Sequence, residues 1–221
     1  MGSFASGYER GARIVLMVFV VHVAFVVHTL LGAVVVGFFP SIAATYATFR
    51  RWVLDADRAW TVRQTWSAFH IAWREDLLGA NAFGWPQSAV GALLMWEYFL
   101  VGSNDMGVLG VAASGVLLFA NVAFVVFAAV SWAVRAHFAE RWQWAVRMAI
   151  WMLLARPFCS VMVLGAVAVV AGAWYIWPGV LMVFGISPLI FGVVIAVASF
   201  GRLPGLSLRR NANPTPADVA A

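Results

Sequence analysis

The stretch that decides the fold is Ile14-Val-Leu-Met-Val-Phe-Val-Val-His22-Val-Ala-Phe-Val-Val-His28-Thr-Leu-Leu-Gly32-Ala-Val-Val-Val-Gly37-Phe-Phe-Pro40-Ser-Ile-Ala-Ala44-Thr-Tyr-Ala-Thr-Phe49, which carries no Asp, Glu, Lys or Arg. As one helix it would run about 54 Å at ~1.5 Å per residue. The hydrocarbon core of a bilayer is only roughly 30 Å thick. Gly32, Gly37 and Pro40 interrupt the run, so it divides into a helix near 14–31 and a second near 34–52, joined by a tight turn. Pro40 then falls in the early turn of the second helix, where its missing N–H costs little. A single, strongly tilted helix is the alternative.

Composition extends that reading to the whole chain. Of 221 residues, 64% are hydrophobic and 10% charged, and the mean hydropathy is +0.91. Soluble domains are about half apolar and about a quarter charged, and a soluble fold of this length leaves too much surface in water to hide such a sequence. The expectation is an all-α, polytopic transmembrane helical bundle of five to six spans, six preferred, with interfacial amphipathic helices. One domain covers residues 1–202, and 203–221, with Asn-Pro, Thr-Pro and a small-residue end, reads as a disordered cytoplasmic tail. Arg10 and Arg13 before an apolar run resemble a signal peptide, but the run exceeds a signal's apolar region, so it reads as a retained first helix.

Further along, Thr61-Val-Arg-Gln64 has capping-box spacing. Trp66, Phe69 and Trp73 follow at i, i+3 and i+7, one face of a helix. That helix lies on the membrane surface or packs against the bundle. Leu78–Val101 is the least apolar span, with Asn81, Pro86, Gln87, Ser88 and Glu97. Its Gly84, Ser88, Ala89, Gly91 and Ala92 permit close helix contact. Val108–Val134 contains Asn121, and Arg135–Arg147 is a short charged stretch. Pro157–Trp177 and Pro178–Phe200 form a final hairpin.

The net charge of +5 comes entirely from 14 arginines against 9 acids. Arginine marks cytoplasmic loops. Six spans place every arginine inside: Arg10 and Arg13; Arg50, Arg51, Arg58, Arg63 and Arg74; Arg135, Arg141, Arg147 and Arg156; and Arg202, Arg209 and Arg210. Five spans would strand Arg10 and Arg13 outside. Both termini are therefore expected in the cytoplasm. With no lysine, P-loop and Schiff-base chemistries are absent. The arginines flank apolar segments and build no basic patch, so no nucleic-acid partner is expected. Cys159 alone can form neither an internal disulfide nor a Cys-pair metal site.

The polar residues inside spans are the candidates for chemistry. His22 and His28 lie six apart, about 240° around a helix, and do not make a joint metal site; each is expected to bond a neighbouring helix or a carbonyl. Ionisable residues in spans are costly and suggest function. Glu97 is one, between Leu93-Leu94-Met95-Trp96 and Tyr98-Phe99-Leu100; the plainer reading lets it reach water at the outer interface. Arg156, in Leu-Leu-Ala-Arg-Pro, is the other, with snorkelling as its plainer reading. Gln87 and Asn121 complete the set, and Pro86 and Pro188 interrupt spans in a way that can expose backbone to a solute. No nucleophile–base pair or metal cluster emerges, so neither enzymatic activity nor a cofactor is expected.

The segment Gly37-Phe-Phe-Pro40-Ser-Ile-Ala-Ala44-Thr-Tyr-Ala-Thr-Phe-Arg50-Arg-Trp52 resembles the hallmark of the YesL-like bacterial membrane proteins, a family of unknown function. That hallmark is Gly-x-x-Pro-Ala-x-x-Ala leading into a basic residue and an aromatic, then an aromatic-rich loop, as at Trp66, Phe69, Trp73 and Gly79. Ser41 stands where Ala is usual, and Glu75-Asp76 makes the loop more acidic than the pattern. The resemblance covers roughly residues 14–100. It implies a multi-pass protein of the bacterial cytoplasmic membrane, often encoded beside carbohydrate uptake transporters of the ATP-binding-cassette type, with no catalytic residues to carry over. The expected function is a non-enzymatic accessory component of such uptake, contacting transporter subunits within the lipid bilayer and compatible with a homo-oligomer. The alternative is a small-solute carrier or channel with its site near Pro86, Gln87, Asn121 and Pro188.

Overall fold

In lipid every backbone N–H and C=O must find an internal partner, which leaves helices as the economical answer for an apolar chain. The computed structural model describes residues 2–104, 106–138 and 141–201, and every regular element among them is an α-helix. The tail expected over 203–221 lies outside the described residues, as do Asp105 and Arg202.

The opening stretch folds as a helical hairpin. Helix α1 spans Gly2–Leu31 and α2 spans Phe38–Leu54, so α1 begins well before the expected residue 14. The turn between them is satisfied by its own backbone: Val34 N–H donates to the Thr29 carbonyl at 2.9 Å and Gly37 N–H to the Gly32 carbonyl at 3.1 Å. Ala33 and Val34 take positive φ values of 50° and 64°, a conformation that costs L-residues roughly 1–2 kcal/mol each. Gly32 and Gly37 make the close crossing feasible. A Cβ on Gly37 would stand 2.6 Å from the Thr29 carbonyl oxygen and 2.8 Å from that of His28.

Helix α2 is the hub. A 14-residue helix, Val62–Glu75 (α3), packs on both α1 and α2. Its expected capping box forms, with Thr61 accepting from Gln64 N–H and Gln64 from Thr61 N–H. Of the two readings left open for this helix, packing against the bundle describes its aromatic face: Phe69 is fully buried and Trp66 and Trp73 half-buried. Arg63, Gln64, Ser67 and Arg74 stay exposed.

Helix α4, Leu77–Ser103, runs antiparallel to α5, Gly107–His137. Their bases meet α2, where Phe39 contacts Trp85 and Trp132. Helix α6, Trp142–Ala155, was not expected as a helix. Arg147 and Gln143 mask its hydropathy, yet Ala145, Ala149 and Met152 bury one face at i, i+4 and i+7. Helix α7 spans Pro157–Ile176. The single span expected over Pro178–Phe200 is instead two helices, α8 (Pro178–Phe184) and α9 (Ser187–Phe200), bent by 76° at Gly185–Ile186. Pro188 sits in the first turn of α9 and has no N–H to continue the ladder back to Phe184.

Among the described residues three helices are long and apolar enough to cross a membrane, namely the Gly7–Leu31 part of α1, α5 and α7; the bent α8–α9 pair makes four if it counts as one span. Helix α2 is short at 17 residues, and α4, with 27 residues, is diluted by Pro86, Gln87 and Glu97.

Candidate functional site

The motif residues lie along the hub helix. Gly37 caps its N-terminus, and its carbonyl accepts the Trp73 indole N–H at 3.4 Å. Pro40 and Ala44 are buried in the bundle. Arg50 donates from Nε to His137 Nδ1 of α5 at 2.7 Å. Trp52 donates to the Arg58 carbonyl at 3.1 Å, with the Arg58 guanidinium over its ring. The motif therefore joins α2 to four neighbours: α1 and α3 at Gly37, α5 at Arg50, and α9 through Trp52 against Phe191.

Two polar constellations flank this axis. In the first, His28 of α1 sits in a box of aromatic rings from α3, with ring centres 5.5 Å from Trp66, 5.0 Å from Phe69, 5.2 Å from His70 and 5.3 Å from Trp73. His28 Nδ1 lies 2.8 Å from the Ala24 carbonyl oxygen, and its Nε2 lies 3.0 Å from His70 Nδ1. A carbonyl only accepts, so His28 Nδ1 carries a proton. With both rings neutral, His28 Nε2 is then the acceptor and His70 Nδ1 the donor. That leaves the lone pair of His70 Nε2 outside the pair.

In the second, Arg135 of α5 grips Asp76 with both guanidinium ends, at 2.5 and 2.7 Å. The Arg135 guanidinium also stands 5.3 Å from the Phe83 ring centre and 5.6 Å from that of Trp132. Two parallel bonds and two aromatic faces fix its plane. Beside it opens a cleft of about 450 Å³ lined by Ala43, Ala47, Arg50, Glu75, Asp76 and His137 among others.

The singled-out polar residues are not gathered into one site. Gln87 donates to Ser131 Oγ at 3.0 Å, and Asn121 to the carbonyls of Leu94 at 3.1 Å and Leu117 at 2.9 Å. Both tie α4 to α5. Arg156 donates to the Gly201 carbonyl just past α9, where a cation also suits the negative end of the helix dipole. Glu97 is exposed near the far end of α4. Among the described residues no group of three or more His, Cys, Asp or Glu is placed to hold a metal ion.

Sequence spacing gave no sign that His28 meets His70. The available signal was the Trp66, Phe69 and Trp73 stripe, since an aromatic face on a polar helix needs something to cover and His70 lies beside it. Nothing in the spacing foretold Asp76 with Arg135, which are 59 residues apart.

A family model described as "Protein of unknown function, DUF624" matches residues 18–98, less than half of the chain. The matched segment runs from the middle of α1 into α4 and contains the motif, His28, His70 and Asp76. No curated protein and no solved structure matches the chain.

Proposed function

We propose that this is a non-enzymatic protein of the bacterial cytoplasmic membrane, a YesL-like accessory to carbohydrate uptake that works by helix contact with transporter subunits. The observation that carries the reading is the use made of polar side chains. Gln87, Asn121 and Arg156 are spent on bonds within the chain, and so do not line a path for solute. Glu97 is exposed on α4, amid exposed Leu93, Trp96 and Phe99. An exposed carboxylate in an apolar helix gains most from a donor on a partner helix, because membrane association relies on packing and interhelical hydrogen bonds. In this reading the chain crosses six times with both termini in the cytoplasm, on the side of its arginines.

The test is purification from native membranes in mild detergent. Transporter subunits should co-purify with the wild type and be depleted with Glu97→Gln or Glu97→Leu. Recovery of the chain free of such subunits would overturn the reading.

One observation favours a second reading, a small-solute carrier: the 76° break between α8 and α9. Broken helices offer backbone groups to ions and solutes. The site would then be at that break and not around Gln87 and Asn121. Solute flux into liposomes containing this chain alone separates the two, since an accessory subunit moves nothing by itself.

A further inference from the structure

The N-terminal part of α1, the loop that follows α2 and the C-terminal part of α9 form a groove of about 540 Å³ at one end of the bundle. Its floor is apolar. Trp52 and Val53 close it from α2, Ile14 from α1, and Phe191, Ile195 and Ala198 from α9. Its rim is charged, with Arg10, Arg13 and Arg58 against Glu9 and Asp57.

The rim is left with unmatched positive charge. Glu9 pairs with Arg13, one helical turn away, and Asp57 Oδ1 accepts the Ala59 backbone N–H at 3.0 Å. The Arg58 guanidinium lies 5.7 Å from the Trp52 ring centre and donates from one end to the Val53 carbonyl at 3.0 Å. These contacts fix it at the lip of the groove, and its remaining N–H groups have no partner among the described residues. Neither Arg58 nor Arg10 forms an ion pair there, since the pairs among the described residues are Arg13–Glu9 and Arg135–Asp76.

Floor and rim together suit one kind of molecule. Guanidinium groups hold phosphate through parallel N–H donors, while Ile195, 40% exposed, extends apolar surface from the rim inward. A free phosphate would use the rim and leave the floor wet. An uncharged lipid would use the floor and leave two arginines unmatched, and a zwitterionic headgroup would bring its own cation among three arginines. Basic pockets between helices on the cytoplasmic side are where acidic headgroups bind, and arginine marks that side.

We propose that this groove binds an anionic phospholipid, with its phosphate held by Arg10 and Arg58 and one acyl chain laid along Ile14, Phe191 and Ile195. The inference goes beyond the accessory reading. It shares that reading's membrane setting and needs no transporter subunit.

The experiment is native mass spectrometry of the full chain in detergent, titrated with phosphatidylglycerol or with phosphatidylcholine of identical acyl chains. One phosphatidylglycerol should bind about fivefold more tightly than phosphatidylcholine. Arg10→Gln and Arg58→Gln should each weaken it by about fivefold, from roughly 1 kcal/mol per basic residue. Arg147→Gln, which removes an exposed charge on α6, should change nothing, and Ile195→Ser should weaken both lipids alike. Arg10 is itself exposed, so its variant carries the test if Arg58→Gln does not fold. Equal losses in Arg10→Gln and Arg147→Gln would mean diffuse attraction and no site. Competition by glycerol phosphate, which has a headgroup and no chain, would mean a free-phosphate site, and equal affinity for the two lipids would also overturn the proposal. A chain that stays soluble without detergent would instead remove the membrane setting, and that is seen before any lipid is added.

Discussion

His28 Nε2 and His70 Nδ1 stand 3.0 Å apart across the α1–α3 interface, although 42 residues separate them in the chain. The Ala24 carbonyl fixes one end of this pair, so it acts as a directional clip between the first apolar helix and the polar helix laid against it. The rings around it supply packing, and the hydrogen bond supplies register.

His28→Ala empties the aromatic box and should destabilise the protein by about 2–4 kcal/mol, in the range of large-to-small core substitutions. His70→Ala keeps Trp66, Phe69 and Trp73 around His28 but removes the exposed fourth ring and leaves His28 Nε2 unpaired, costing about 1–3 kcal/mol. The double variant should cost less than the two together, since both remove the same bond. Denaturation in detergent with hydrogen exchange of α3 reports this. An α3 as protected in His28→Ala as in the wild type would show that the clip holds nothing.

Glycine substitutions should separate crossing points from lipid-facing positions. A Cβ on Gly84 of α4 would overlap the Phe39 ring, whereas one on Gly165 of α7 meets nothing within 4 Å. Gly84→Ala should therefore cost about 1–3 kcal/mol through overpacking. Gly165→Ala should stabilise by up to about 1 kcal/mol through helix propensity. Equal effects in thermal melts would contradict the packing of Phe39 between α2 and α4.

How much of this was legible in the sequence depends on the range of the interaction. The α1–α2 hairpin could be read because Gly32, Gly37 and Pro40 are local signals inside an over-long apolar run. The α3 N-terminus could be read because Thr61 and Gln64 form a three-residue motif. The bend at Gly185 is only partly legible: Pro188 marks an interruption within the expected span from Pro178, but Gly185 and Ile186 carry no polar signal, and the +52° φ that turns the chain belongs to the backbone geometry. Helix α6 was missed because Gln143 and Arg147 lower its hydropathy while its buried face is mostly alanine. Arg156 and Asn121 were legible as unusual residues, but what they bond to is set by tertiary contacts between helices that spacing does not encode.

The Asp76–Arg135 pair is partly buried, with side-chain exposures of 31% and 17%. Removing one member leaves the other charge poorly solvated, so Asp76→Asn and Arg135→Gln should each destabilise, by about 1–3 kcal/mol, less than for a fully buried pair. The double variant should recover part of that loss. Strict additivity across the cycle would mean that the two bonds contribute nothing specific, and that Arg135 is held by Phe83 and Trp132 alone.

Asp55, in the exposed loop after α2, gives a pH dependence with a definite sign. Its carboxylate accepts the Trp60 indole N–H at 2.7 Å and the Asp57 backbone N–H at 3.1 Å. These bonds, the indole first, hold its pKa below the usual carboxylate value. A lowered folded-state value means that the loop's contribution to stability is fully present above the unfolded value, about 3.9, and is lost as pH falls through the folded one. The Trp60 indole N–H resonance, identified by its loss in Trp60→Phe, should be constant from pH 7 to pH 5 and move only under more acidic conditions. In Asp55→Ala it should already sit at the acid position at neutral pH, while Asp55→Asn, which keeps an acceptor oxygen, should fall between. If the Asp55→Ala signal titrates as the wild type does, another group sets the Trp60 environment and the loop is not held by this carboxylate.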